Sequence, residues 1–293
     1  MITEDWSECA ESDDDMRETE CKAKLSDRIT IAIFVLHVVT TILFSFGVFL
    51  TNVDINNDQS EIPFLMKVEL PVRISKIRTY RLLLSAQFVH LLTIVIGTGL
   101  VNSLLLTLIL HVGGQIDVLR SWLIHLIPKE SGGTRESVVV VTNKIVRKHQ
   151  RIILFSTYIE NLYTFISFAL FTLNTTMICM LAFLVVSSLG SPDGTERITK
   201  FILFYTITNL ESFIFCFAGE YLKNKSKTIG TAAYNSAWYN LRPQDSRVLL
   251  FVILRAQKQL TLTAGKIMDL SLESFANIMK ASASYMSVLL AMQ

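Results

Sequence analysis

Two carboxylates, Glu160 and Glu211, stand within long apolar stretches and are the first residues whose chemistry needs an account. Paired carboxylates can perform acid–base catalysis or bind a metal ion, but no cluster of metal ligands accompanies this pair. For Glu211 we favour a carboxylate that faces a helix bundle and bonds to a neighbouring hydroxyl or amide, over a proton relay. For Glu160 we expect a solvated or ion-paired role.

The remaining residues with reactive side chains do not indicate a catalytic or cofactor site. The histidines are too dispersed for a metal site, although two could border a ligand cavity: His37 and His90. The four cysteines have no metal-ligand spacing and are expected to be free thiols. No serine or cysteine has the sequence context of a nucleophile. Gly97-Thr98-Gly99 is similar to a dinucleotide-binding loop, but it lies within a long apolar run and no strand precedes it. We therefore predict no enzyme, metal or cofactor.

Composition indicates an integral membrane protein. The chain is 51% hydrophobic and 18% charged, and its apolar residues cluster in long runs. A net charge of +2 gives no indication of nucleic-acid binding. We predict an all-α, polytopic membrane helix bundle with an acidic head at 1–28 and a polar segment at 219–269. About five transmembrane helices are expected: 29–50, 82–112, 165–188, 198–218 and 270–293.

The basic residues between these spans predict the orientation of the bundle. The head, the connector 113–151 and the segment 219–269 contain four, seven and eight Lys or Arg residues. The alternate segments, 51–81 and 190–200, contain five and two. Because cytoplasmic segments carry the excess of positive charge, the N-terminus is predicted to be cytoplasmic and the C-terminus extracellular.

The terminal helix has two different faces. On a helical wheel one narrow stripe contains its polar and small residues: Glu273, Asn277, Lys280, Ser284, Ser287 and Ala291. The opposite arc is bulky and apolar. Such a helix fits either a close helix–helix seam or the lining of a water-filled pore, and the helix alone favours the seam.

A run of short motifs fills the last 75 residues or so. It comprises Gly219-Glu220-Tyr221-Leu222, Ala232-Ala233-Tyr234-Asn235-Ser236-Ala237-Trp238-Tyr239, Asp245-Ser246-Arg247, Leu262-Thr263-Ala264-Gly265-Lys266, Leu270-Ser271-Leu272-Glu273-Ser274-Phe275 and Lys280-Ala281-Ser282-Ala283-Ser284-Tyr285. This run closely resembles the insect odorant receptors. Weaker matches at Gly114-Gln115 and His149-Gln150-Arg151-Ile152-Ile153 extend the resemblance over essentially the whole chain.

The resemblance implies a sensory channel subunit. Members have seven spans and a cytoplasmic N-terminus, and the first span here resembles the family's third, so two spans are expected to be missing before Met1. They are subunits of tetrameric, ligand-gated, non-selective cation channels in the plasma membrane of olfactory sensory neurons. An odorant-binding subunit pairs there with a shared co-receptor, and a small volatile odorant opens the channel.

The resemblance also implies three sets of site residues. The terminal helix, 270–293, lines the pore with a hydrophobic gate at Val288 and with Ser284, Ala291 and Met292 facing the conduit. The ligand pocket lies within the bundle of 29–218, with these lining candidates: His37, Thr41, Phe44, Tyr80, Gln87, Leu91, Tyr205 and Asn209. The segment 219–269 forms the cytoplasmic anchor between subunits, with Tyr234, Trp238 and Tyr239 as interface aromatics.

Two other functions remain open at this point. A truncated subunit that assembles without conducting would fit the absence of two spans. A transporter fits less well, because no internal repeat is seen. A G-protein-coupled receptor is disfavoured by the cytoplasmic N-terminus.

Overall fold

Long helices make up most of the chain in a computed structural model that describes residues 2–3, 5, 13–50, 64–65, 77–126, 135–187 and 194–291. The helices are α1 (Asp13–Leu50), α2 (Ile77–Ile124), α3 (Arg135–Ser187), α4 (Gly194–Asn235), α5 (Pro243–Gln257) and α6 (Leu272–Ala291). A 3-10 turn covers Trp238–Asn240. Strands β1 (Thr263–Ala264) and β2 (Met268–Asp269) pair antiparallel, with Thr263 opposite Asp269. The predicted all-α class is confirmed.

Four of these helices are long and apolar enough to cross a membrane: the segments Thr19–Phe46, Ile77–Ile124, Val139–Leu184 and Phe201–Asn240. The 20-residue α6 is not among them. Its mean hydropathy is lowered by Glu273, Asn277 and Lys280, which a helix bordering water on one side can tolerate. The fifth span therefore stays a prediction.

Three helices extend well beyond the apolar runs that predicted them. Helix α2 continues through Gly113-Gly114 to Ile124, where a basic connector was expected. Helix α3 begins at Arg135, within the expected connector 113–151, and α4 continues past Ala218 to Asn235. The connector interpretation is wrong at Gly113 because Tyr221 of α4 fills the space beside it: a Cβ there would lie 2.5 Å from the tyrosine oxygen. The glycine serves a close helix contact, not a break.

The core lies largely in these extensions. Side chains from α2, α3, α4 and α5 are almost completely buried there: Leu119, Leu123, Ile145, Leu222, Ile229 and Leu249. By contrast, the apolar runs expose many large side chains, as expected of helices whose outer faces contact lipid. The packed part of the molecule is therefore at the predicted cytoplasmic end.

A buried carboxylate, Asp117, joins α2 to two other helices. The ammonium group of Lys225 on α4 donates to its Oδ2 at 2.7 Å, and Lys22 on α1 lies 3.5 Å from the same oxygen. The Asp117 side chain is 6% exposed, and both lysine side chains are mostly covered. One charge on α2 thus fixes the positions of α1 and α4.

A second carboxylate, Asp5, attaches the head to the bundle. Lys148 lies 3.3 Å from its Oδ1, and His111 donates from Nε2 to its Oδ2 at 3.3 Å. Burial alone would raise the pKa of the Asp5 carboxyl, but the His111 hydrogen bond and the Lys148 ammonium outweigh it and lower that pKa. A lowered pKa means that this contact stabilises the fold above about pH 4 and weakens only in stronger acid.

Candidate functional site

A histidine–glutamate pair lies in the predicted pocket region: buried His37 on α1 and half-buried Glu211 on α4. The Nδ1 of His37 lies 2.8 Å from the carbonyl oxygen of Ile33, and its Nε2 lies 3.1 Å from Oε1 of Glu211. Nδ1 must donate to the carbonyl oxygen. The contact between Nε2 and Glu211 therefore needs one further proton, which lies either on Nε2 or on the Glu211 carboxyl group. Glu211 faces the bundle as expected, but its partner is a histidine rather than a hydroxyl or amide.

Three of the pocket candidates share one small apolar cluster. Tyr80 is buried in it with Leu65 and Leu84, and four half-buried residues pack against these: Phe44, Phe64, Phe88 and Leu91. The rings of Phe64 and Tyr80 meet edge to face with centroids 5.5 Å apart. Gln87 borders the cluster and accepts a hydrogen bond from the Leu65 backbone at 3.2 Å. Residues of α1, α2 and the 64–65 segment therefore form one wall.

The other pocket candidates lie on α1 and α4. Thr41 is buried, and its hydroxyl donates to the His37 carbonyl at 2.9 Å. Tyr205 is half-buried, and its carbonyl accepts from Nδ2 of Asn209 at 2.8 Å. The Phe204 ring beside Tyr205 contacts Phe44 edge to face at 4.7 Å, which joins α4 to the apolar cluster.

Asn209 provides a buried hydrogen-bond acceptor in the predicted pocket region. Its Oδ1 is buried and has no hydrogen-bond donor among the described residues. A buried acceptor without a donor is unfavourable unless a ligand or water satisfies it. The arrangement suits a small, mainly apolar molecule with one donor group. Sequence reasoning missed Phe64 and Phe204, since neither differs from an ordinary lipid-facing phenylalanine until its neighbours are known.

Helix α6 packs through its first half against the bundle and is exposed over most of the described part of its second half. Phe275 packs edge to face against Phe213 of α4 at 5.8 Å, and Ile278 packs against the main core. Ser284, Val288 and Ala291 are exposed, with Val288 56% exposed, and so is Tyr285 of the bulky arc, at 64%. Met292 lies outside the described residues. Ser284, Val288 and Ala291 are therefore available to face other subunits or a conduit.

The hairpin before α6 is fastened to the middle of α3. The Thr263 hydroxyl donates to Oε1 of Glu160 at 2.9 Å, and the backbone N–H of Gly265 donates to the Thr164 carbonyl at 2.8 Å. The Phe168 ring packs against Gly265 in the turn of the hairpin. Glu160, for which a solvated or ion-paired role was expected, therefore accepts a hydrogen bond from the hairpin that precedes α6.

Helix α6 begins with a serine cap. The Ser271 hydroxyl accepts from the backbone N–H of Ser274 at 3.1 Å, and the Ser274 hydroxyl donates to the Asp269 carbonyl at 2.8 Å. This arrangement satisfies one of the free N–H groups in the first turn of the helix. It also joins the helix to the hairpin.

Removing the cap is expected to loosen that joint. Ser271→Ala should destabilise the folded state by about 1 kcal/mol, because one N–H of the first turn loses its acceptor. The apparent melting temperature of the purified chain should fall by about 2–4 °C. The matched control is Ser85→Ala on α2, whose hydroxyl only bonds to the Leu82 carbonyl of its own helix. Equal melting temperatures for both variants would contradict the capping role.

The predicted anchor aromatics have different exposures. Tyr234 and Tyr239 are 67% and 72% exposed, whereas Trp238 is half-buried and donates from Nε1 to the Tyr234 carbonyl at 3.1 Å. Helix α5 adds an exposed apolar face of Leu250, Phe251 and Leu254. Large exposed side chains outside the apolar runs are typical of a surface that another protein covers.

Among the described residues, no group of three His, Cys, Asp or Glu side chains is placed to hold a metal ion.

Comparison with known proteins gives one family. A family model described as 7tm Odorant receptor matches residues 2–283. Odorant receptor 10 of Aedes albopictus is 30% identical over 146 residues, which is 50% of this chain and 38% of that protein. Odorant receptor 2a of Drosophila melanogaster is 33% identical over 98 residues, or 33% of this chain and 24% of that protein. The matches thus span less than half the length of these relatives.

The fold has a solved counterpart. The insect olfactory receptor OR5 from Machilis hrabei, in complex with eugenol, superposes with a TM-score of 0.79 at 13% sequence identity. The match covers 95% of this chain and 69% of that one.

Proposed function

This chain belongs to the 7tm odorant receptor family, and we propose that it is a channel subunit that binds a small volatile ligand and gates a non-selective cation path with a co-receptor. One observation carries the proposal: α6 leaves its polar stripe and Val288 exposed, while the segment before it is held by Glu160 of α3 and packs against Gly219 of α4. A helix used only as an internal seam would bury that stripe.

The ligand would bind where α1, α2 and α4 meet. The apolar cluster around Tyr80 supplies contact area, and the unsatisfied Oδ1 of Asn209 supplies an acceptor. Recognition there depends mainly on shape and dispersion, with few hydrogen bonds. The His37–Glu211 pair satisfies itself, so it holds α1 to α4 and is not the principal ligand contact.

The gate would work by dewetting. A ring of apolar side chains, one Val288 from each subunit, excludes water from a narrow conduit until the helices part. Ser284, Ala291 and Met292 would line the same conduit. Ligand binding would favour the state in which α6 is displaced outward.

The remaining surfaces suit an assembled channel. Tyr234, Tyr239 and the exposed face of α5 would form the anchor between subunits of a heterotetramer. With its N-terminus in the cytoplasm, the assembly would lie in the plasma membrane of olfactory sensory neurons. The domain division predicted above, with head, pocket bundle, anchor and pore helix, corresponds to these roles.

The test is co-expression with the co-receptor and patch recording over an odorant panel. We expect ligand-evoked currents that the co-receptor alone does not give. Currents equal to those of the co-receptor alone would contradict the proposal. If the chain then still co-purified with the co-receptor, it would be a non-conducting assembly partner.

In a responding complex, Val288→Ser should raise the ligand-independent current several-fold. The hydroxyl lowers the cost of wetting the constriction, so water and ions enter without ligand. The control is Val35→Ser, since Val35 is 55% exposed but lies on α1. A leak unchanged by Val288→Ser, or raised equally by Val35→Ser, would contradict the gate assignment.

A further inference from the structure

A groove between helices α3 and α5 is separate from the predicted odorant pocket and from the pore helix. Its volume is about 500 Å³, within the range of roughly 300–1,000 Å³ that is typical of small-molecule sites. These positions recur at helical spacing, so each helix presents one face to the groove. The walls are mainly apolar, with Val146, Ile153 and Leu154 on α3 and Val248, Phe251 and Val252 on α5.

One buried polar side chain lines this groove without a partner. His149 is only 6% exposed, and it makes no hydrogen bond to any other residue that the structure describes. A neutral imidazole carries one donor and one acceptor, and a buried donor that stays unpaired is unfavourable. An occupant of the groove that accepts a hydrogen bond would satisfy this donor.

The groove also contains one guanidinium group, that of the half-buried Arg255. One of its N–H groups donates from Nη1 to the Lys258 carbonyl at 3.1 Å, which holds the side chain at the end of α5. Arg255 has no carboxylate partner among the described residues, and no lining residue is acidic. A guanidinium binds a carboxylate through two parallel hydrogen bonds, so the groove is complementary in charge to a carboxylate.

The groove lies outside the predicted membrane spans. The predicted span of α3 begins at residue 165, about 24 Å along the helix from His149. This distance exceeds the headgroup layer, which adds roughly 5–8 Å to each side of the hydrocarbon core. The predicted orientation places this end of the bundle in the cytoplasm. A bound molecule would therefore reach the groove from water and not from the bilayer.

We infer that the groove binds a small soluble carboxylate with an apolar body. Its carboxylate would pair with Arg255 and accept from His149, and its apolar body would lie between α3 and α5. An inorganic anion could use the same polar groups, but it would leave the apolar walls in contact with water. Phe251 borders both the groove and the exposed face of α5, so the bound molecule would lie at the edge of the proposed subunit anchor.

The probe is naphthoate, a flat apolar carboxylate, and its neutral counterpart is naphthamide. Both are titrated by calorimetry into the full chain in lipid nanodiscs, and the heat with empty nanodiscs is subtracted. Arg255→Gln removes the charge but keeps an N–H group for the Lys258 carbonyl. The matched control is Arg247→Gln, which removes an exposed charge on the same helix that does not line the groove. Leu154→Trp fills the groove from its rim, where Leu154 is 48% exposed.

Wild type should bind naphthoate at least about tenfold more tightly than naphthamide, because only the carboxylate forms charge-assisted hydrogen bonds. Arg255→Gln should abolish this preference, Leu154→Trp should weaken both ligands, and Arg247→Gln should behave as wild type. Equal affinity of wild type for the two ligands would overturn the inference without reliance on any variant. An unchanged preference in Arg255→Gln, or its loss in Arg247→Gln, would also overturn it. So would displacement of naphthoate by millimolar acetate, which indicates a simple anion site, or tighter binding of a glutamate-rich peptide, which indicates a protein partner.

Discussion

Replacing Asp117 with alanine is expected to destabilise the bundle by about 3 kcal/mol. The change leaves Lys225 and Lys22 partly buried without their counter-charge, and breaking a buried pair from one side costs far more than the pair itself contributes. For a chain of this length we expect a fall of about 6 °C in the apparent melting temperature. Fluorescence-detected size exclusion after heating measures it in the full chain.

The control and the rescue keep this prediction specific. Asp269→Ala removes an exposed carboxylate and should leave the melting temperature unchanged. Adding Lys225→Met to Asp117→Ala should recover part of the loss, because the unpaired charge is replaced by an apolar side chain of similar length. If the loss of stability in the double variant equalled the sum of the losses in the two single variants, the two residues would not be coupled.

Gly219→Ala is expected to prevent most of the chain from folding. A Cβ at this position of α4 would overlap the carbonyl oxygen of Leu270, which is backbone and cannot rotate away. Leu270 is itself held by the hydrogen bond from its N–H to the Leu262 carbonyl at 2.9 Å. The yield of monodisperse protein should fall by about an order of magnitude, since the segment leading into α6 would have to move.

Gly97→Ala is the matched control on helix α2. A Cβ there would meet no atom within 4 Å, and alanine favours a helix over glycine by up to about 1 kcal/mol. The control should therefore fold as well as the wild type or slightly better. A normal yield and melting temperature for Gly219→Ala would refute the close contact between α4 and the start of α6.

Local patterns in the sequence were enough to predict the all-α class and the apolar part of each long helix. Long apolar runs predicted spans because every side chain that faces lipid must be apolar, whatever its contacts with other residues. In α6 the polar residues Glu273, Lys280 and Ser284 repeat at helical spacing and are exposed, but Tyr285 on the opposite arc is exposed too. The roles of Ser284 and Val288 in a pore still stand as predictions.

Contacts between distant residues could not be predicted in this way. Asp117 and Lys225 are 108 positions apart, and His37 and Glu211 are 174 apart. Each of these four residues can be explained on its own from the sequence around it. Only the packing of the helices determines which residue it pairs with. The extensions of α2 and α4 were missed for the same reason: their polar outer sides resemble loops until the buried sides are seen to pack.

Helix α3 can act as a lever that pivots at the hairpin. Its 53 residues make a rod about 80 Å long. Glu160 and Thr164, which hold the hairpin, lie close to its midpoint. A tilt of about 5° would move each end of the rod by about 3.5 Å but leave the fulcrum almost stationary. A hairpin attached at the midpoint of α3 would rotate with the helix by the same angle but would hardly be displaced. Because α6 follows this hairpin and is about 30 Å long, its C-terminal end would move by roughly 2.5 Å.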